Sequence, residues 1–289
     1  MISSQYMNFA DRLLEAQRRK NSVAMLGVDP QLDTGRQAGL PPSYTLERFC
    51  CEIVEACAGS VVAIKPQLAF FEARGIEGMR AFCAVTKLAH ELNLLTIGDA
   101  KRGDIGSTSA AYAAAFLGDG DFACDAVTVN PYVGSDALMP FVQTAADGRG
   151  LFVLVKTSNP SSGEFQDLPT TYGPLWEQVA RRVHGIGSDF MGQAGMSAIG
   201  AVVGATYPEH LRRARELMPN AVILVPGYGT QGANAADAVR AVRENGTGIL
   251  VNASRGLMYA YRSSAGLSPG QAAAQAAEAM RKELNAAIG

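Results

Sequence analysis

The chain has 289 residues, enough for one large domain or two small ones. Hydrophobic residues make up 48% and charged residues 18%, which excludes a disordered segment and fits a globular enzyme. A formal net charge of −2 gives no basic field for nucleic acid, and no uninterrupted apolar run approaches the roughly 20 residues needed to span a bilayer.

Met1 to Asn8 is polar and lacks the apolar core of a secretory signal, so a cytoplasmic protein is expected. Short apolar runs then alternate with longer helical patterns. The runs Val23–Asp29, Val61–Lys65, Leu94–Asp99, Ala126–Asn130, Leu151–Lys156, Ala198–Val203, Ala221–Val225 and Gly248–Val251 read as strands. Several are continuously apolar, as strands covered on both faces should be. Helical periodicity marks Leu46–Ala58, Met79–Leu92, Leu175–His184 and Ala235–Arg243. Eight strands in regular alternation with helices predict an α/β fold, the (β/α)8 TIM barrel. An open doubly wound sheet is the rival, but no GxGxxG follows the first strand. No linker divides the chain, so residues 1–289 are expected to form a single barrel domain with an N-terminal helix and a helical tail from Ser268 to Gly289. The longest irregular region, Thr157 to Pro174, is of a size that is usually functional. The five cysteines (Cys50, Cys51, Cys57, Cys83, Cys124) form no CxxC pair and read as reduced core filler. His90, His184 and His210 fall on helices, away from strand ends and without metal spacing; Arg181, Arg182, Arg212, Arg213 and Arg215 read as solvated helix faces.

In such barrels the chemistry lies at the C-terminal ends of the strands. Those ends carry Asp29, Lys65, Asp99 with Lys101 and Asp104, Asn130, Lys156 with Thr157 and Ser158, Gly204, Pro226 to Gln231, and Asn252 to Arg255. Two carboxylates around one lysine in Asp99-Ala100-Lys101-Arg102-Gly103-Asp104 are costly to bury unless they pair. Where such charges collect in a cleft, catalysis is the leading reading. The Gly-rich stretch Pro226 to Gly232 and the segment Asn252 to Gly256 follow strands seven and eight, the recurring phosphate grip of this fold, and Arg255 can hold a phosphate bidentately.

Val28-Asp29-Pro30, Ile64-Lys65-Pro66, Asp99 to Gly106, Thr157-Ser158-Asn159-Pro160, Pro226 to Gly232 and Ser254-Arg255-Gly256, in this order, resemble the orotidine 5′-phosphate decarboxylase family in its longer bacterial branch. The chain departs from shorter members by carrying Ser254 for a glycine and Asn159 for a histidine. The resemblance implies conversion of orotidine 5′-monophosphate (OMP) to UMP and CO2 in pyrimidine biosynthesis, a homodimer, and no metal or organic cofactor. It implies a charge array Lys65–Asp99–Lys101–Asp104, with Asp104 contributed by the other subunit. Asp29 and Lys65 would hold ribose hydroxyls; the partner's Thr108 would assist, and its Ile105 would line an apolar pocket. Ser158 would bind the pyrimidine edge, and Gln231 and Arg255, with Ser254 beside them, would hold the phosphate.

Loss of CO2 from C6 leaves an electron pair in the ring plane, where it cannot spread into the π system. An ammonium beside C6 both stabilises that pair and protonates it, so Lys101 is read as proton donor, kept charged by its flanking carboxylates. A Schiff base at Lys101 would need a neutral amine. The competing readings are a metal-dependent sugar-phosphate decarboxylase or aldolase of the same superfamily, an aldolase using Lys156, and a catalytically idle barrel. The first needs an acidic ligand at the end of strand two, where this chain has Lys65.

Overall fold

The computed structural model describes residues 7–31, 44–205, 208–229 and 234–289. Eight parallel strands close into a barrel: β1 (Ala24–Val28), β2 (Ala63–Pro66), β3 (Leu95–Arg102), β4 (Ala126–Val129), β5 (Gly150–Lys156), β6 (Ser197–Val203), β7 (Ala221–Val225) and β8 (Ile249–Ala253). Each strand pairs with its sequence neighbours, and β8 closes on β1 through Ala24 opposite Val251 and Leu26 opposite Ala253. The runs are buried along nearly their whole length, because helices cover the outside and side chains fill the inside.

The surrounding helices are α1 (Phe9–Lys20), α2 (Leu46–Cys57), α3 (Leu68–Glu72), α4 (Gly75–Glu91), α5 (Gly106–Leu117), α6 (Ser135–Gln143), α7 (Gly163–Gln166), α8 (Leu175–Gly187), α9 (Pro208–Leu217), α10 (Ala235–Ala238), α11 (Arg255–Met258) and α12 (Pro269–Ile288). In α2 the buried residues Leu46, Phe49, Cys50, Ile53, Val54 and Cys57 recur every three or four positions, and Thr45 caps the helix by accepting from Arg48 N. Ser268 and Gln271 form a capping box that starts α12, which packs along α2.

Helix α1 lies across the N-terminal ends of the strands. The Phe9 ring meets Phe152 edge-on at 5.9 Å and fills the space where a side chain on Gly150 would project. The Arg12 guanidinium donates to Asp125 Oδ1 at 2.6 Å, just before β4. Asp125 also accepts from Thr96 N at 2.8 Å and faces His90 Nε2 at 3.2 Å. Burial pushes the Asp125 carboxyl up, but the hydrogen bond from His90 and the Arg12 charge outweigh it and hold it well below the usual carboxylate range. Conserving the opposite end of the barrel for chemistry is the usual division of this fold.

Three expectations change. Strand β3 runs three residues past Asp99, because a register shift against β4 after Gly98 lets Arg102 still pair with Val129. The pattern over Ala235–Arg243 forms only one helical turn; beyond it the bonds tighten to i→i+3, from Arg240 N to Asp237 O and Val242 N to Val239 O. Arg215 is no solvated side chain: it donates to the carbonyls of Ala241, Met218, Ala221 and Gly248 at 2.6–2.9 Å and stitches α9 to the strand beginnings.

Candidate active site

A cavity of about 440 Å³ opens at the C-terminal ends of the strands. Asp29, Lys65, Asp99, Lys101, Ser158, Ser254 and Arg255 all line it, so strands β1, β2, β3, β5 and β8 bring seven of the expected residues together. Gln231 lies outside the described residues. Asp104, Ile105 and Thr108 do not line this cavity. Asp104 is half-buried and accepts from Ile105 N at 2.7 Å, while Ile105 is 60% exposed at the start of α5.

Asp99 is the hub. It is 5% exposed, as is Lys65. Its Oδ2 accepts from Lys65 Nζ, and from Gln67 Nε2 at 2.9 Å. Its Oδ1 accepts from Lys101 Nζ at 2.5 Å and from Thr128 Oγ1 at 3.0 Å. Burial raises the Asp99 carboxyl, yet the two ammonium groups and their hydrogen bonds outweigh it and hold it well below the usual range. For Lys65 burial favours the neutral amine, but the Asp99 and Asp29 carboxylates more than offset this and leave it above its ordinary value. Lys65 and Asp99 are therefore both ionised, and each charge is compensated by a neighbour.

The backbone explains how two side chains two residues apart both face the cavity. Alternation along β3 puts Asp99 and Lys101 on one face. Lys101 then takes φ +47°, a left-handed conformation rare for a residue with a side chain. Its N–H is caught by Thr128 Oγ1 at 3.0 Å. Backbone strain of this kind persists where the surroundings over-determine it, and here Thr128 and Asp99 hold both ends of the residue.

The structure adds Gln67 and Thr128 to the residues expected at the site. Gln67 sits two positions beyond Lys65, so the period-2 alternation already pointed to it. Thr128 lies inside an apolar run and gave no comparable signal. Two further acceptors, Asp29 Oδ1 and Asn252 Oδ1, are buried without a hydrogen-bond partner among the described residues, and both side chains line the cavity. Unmet acceptors beside a cavity suit a ligand that brings hydroxyl donors. Across the cavity, Gly227 and Gly229 take φ +98° and +79°, and the loop is tied back by Tyr228, whose hydroxyl donates to Glu283 of α12.

Two polar strand ends point elsewhere. Asn130 is exposed and turns its Oδ1 to Tyr132 N at 3.0 Å. Lys156 is buried and donates to both oxygens of Asp167, at 2.7 and 2.8 Å, outside the cavity lining. That pairing removes the basis for a Schiff base at Lys156, which needs a free amine facing substrate. Among the described residues no group of three or more His, Cys, Asp or Glu side chains could hold a metal ion.

A sequence model of the orotidine 5′-phosphate decarboxylase / HUMPS family matches residues 32–267. The chain belongs to this family. It is 42% identical to the orotidine 5′-phosphate decarboxylase of Rhodopirellula baltica over 274 residues, covering 89% of this chain and 90% of that one. It is 42% identical to the protein of the same name from Deinococcus radiodurans, over 97% of this chain and 98% of the other. Among solved structures, the OMP decarboxylase of Leishmania donovani aligns with TM-score 0.78 at 33% identity, covering 98% and 99% of the two chains. A structure from Streptomyces avermitilis aligns with TM-score 0.85 at 36% identity, covering 98% and 96%. The fold and the family are those the motifs implied.

Proposed function

We infer that this chain decarboxylates OMP to UMP and CO2, the reaction for which its family relatives are named. The observation that carries this reading is Lys101, held with its Nζ 2.5 Å from Asp99 at the mouth of the Lys65–Asp99–Lys101 array. The bond from C6 to the carboxylate carbon breaks and CO2 leaves. The electron pair stays on C6 in the ring plane, and Lys101 Nζ delivers the proton that fills it. Lys101 regains a proton from solvent after UMP departs. Before that transfer its positive charge stabilises the developing carbanion without reorganisation, since Asp99 and Thr128 have already oriented it. Asp99 positions Lys101 and lies near the departing carboxylate.

Asp29 and Lys65 hold the ribose hydroxyls, Ser158 meets the pyrimidine edge, and Arg255 with Gln231 and Ser254 takes the phosphate. Binding energy gained at the phosphate, far from C6, serves to seat the ring against the preformed array. No metal or organic cofactor takes part. Among the described residues no helix is long and apolar enough to cross a membrane.

The working unit in this reading is a homodimer. Asp104, Ile105 and Thr108 lie off the chain's own cavity, near the exposed start of α5, and complete the site of the second subunit. Mixing inactive Lys101→Ala and Asp104→Asn dimers should restore about one quarter of wild-type activity, because half of the re-formed dimers carry one intact site of two. No recovery after subunit exchange would remove Asp104 from the shared site. The activity itself is tested by following OMP absorbance with purified protein, with and without EDTA. Loss of the substrate signal with UMP formed, unchanged by EDTA, is expected. Turnover abolished by EDTA would return the metal-dependent sugar-phosphate chemistry.

A further inference from the structure

The segment after β5 is held from behind by two ties that the reaction as described does not use. Thr157, Ser158 and Asn159 line one wall of the cavity. Behind them the chain makes a short turn, Pro160–Ser162, and then the single turn α7. From the end of that turn the Gln166 amide grips Thr157 twice. Its Oε1 accepts from Thr157 N at 2.9 Å and its Nε2 donates to Thr157 Oγ1 at 2.8 Å. Thr157 Oγ1 in turn donates to Asn159 Oδ1 at 2.7 Å. The next residue, Asp167, takes both oxygens to Lys156 Nζ, which also lies 3.5 Å from Ser162 Oγ.

Lys156 is 2% exposed, and an ammonium so placed is expensive unless paired. Barrel closure does not ask for it, since an apolar side chain would fill the space. Its carboxylate partner Asp167 reaches in from the irregular segment, so the pair pins that segment to the end of β5. Ser158 follows directly on the two tied residues, pressed so close to Gly204 that a Cβ there would come within 2.9 Å of the serine Cβ.

We propose that Gln166 and Asp167 are positioning residues for the substrate: through Thr157 and Lys156 they fix the strap that sets Ser158 against the pyrimidine base. This rests on the reading of Ser158 given above. The strap faces the base and not the ribose phosphate, so its loosening should be felt only by ligands that carry a base.

The test measures the affinities of the full-length protein for UMP and for ribose 5-phosphate, which lacks the base. The variants are Gln166→Leu, Gln166→Glu, Asp167→Asn and, as reference, Ser158→Ala. Gln166→Leu and Asp167→Asn should each weaken UMP roughly tenfold, about 1.4 kcal/mol, and leave ribose 5-phosphate within about twofold. Gln166→Glu keeps the acceptor for Thr157 N and should recover most of the UMP affinity. In turnover the loss should fall on KM more than on kcat. Equal weakening of both ligands would reduce the two residues to general supports of the fold and overturn the proposal. So would an unchanged UMP affinity in both Gln166→Leu and Asp167→Asn while Ser158→Ala loses it. If Ser158→Ala itself leaves UMP binding intact, the assignment of Ser158 to the base fails, and the positioning role fails with it.

Discussion

Replacing Thr128 by valine keeps the side-chain shape and removes one hydroxyl. That hydroxyl donates to Asp99 Oδ1 and accepts from Lys101 N, both at 3.0 Å, in a fully buried position. A hydrogen bond to an ionised group is worth about 1.5–3 kcal/mol, and the backbone N–H that loses its acceptor adds a cost of its own. The left-handed turn at Lys101 is one that a lysine adopts only under constraint. If the Asp99 contact is expressed fully in the transition state, kcat falls roughly 10- to 150-fold. Affinity for UMP should move less than about threefold, because the uncharged base of the product does not load the array as the reacting substrate does. Initial rates from OMP absorbance, UMP titration by calorimetry and a thermal melt separate these effects. A folded Thr128→Val protein with kcat within about twofold of wild type would refute the argument that Thr128 orients the Asp99–Lys101 pair.

Two other perturbations probe the far ends of the molecule. Arg255→Ala and Gln231→Ala should raise KM and also lower kcat, since in the proposed reading phosphate binding energy seats the ring against the array; a rise in KM with kcat unchanged would restrict both residues to simple anchoring. At the closed end, Asp125→Asn leaves Arg12 without its charged partner and should destabilise the protein at pH 7 by on the order of 3 kcal/mol in denaturant unfolding. The Asp125 carboxyl is held below its unfolded value near 3.9, so its contribution is complete above that pH and is lost as pH falls through the folded value. The stability gap between wild type and variant should therefore shrink steadily from about pH 5 downward, and a gap independent of pH would contradict the ion pair as its source.

Much of the barrel was legible because a strand buried on both faces is a continuous apolar run, and all eight runs became strands. The polar strand ends were legible for the same reason: Asp29, Lys65 and Asp99 break those runs abruptly. What stayed hidden depends on contacts distant in sequence. The extension of β3 to Arg102 reads as a loop from its charges, and only pairing with Val129 across a register shift keeps it in the sheet. Thr128 looks like any threonine in a strand until the Asp99 and Lys101 groups, nearly thirty residues away, converge on it. Lys156 carried the right charge at the right strand end, yet Asp167 in the irregular segment takes it out of the cavity.

The central claim is that the Lys101 ammonium protonates C6. The most direct test is Lys101→Ala, assayed for OMP turnover and titrated with UMP in parallel. Turnover should be almost abolished while UMP still binds, since other residues are proposed to hold the ribose and the phosphate. Substantial turnover by the alanine variant would contradict it.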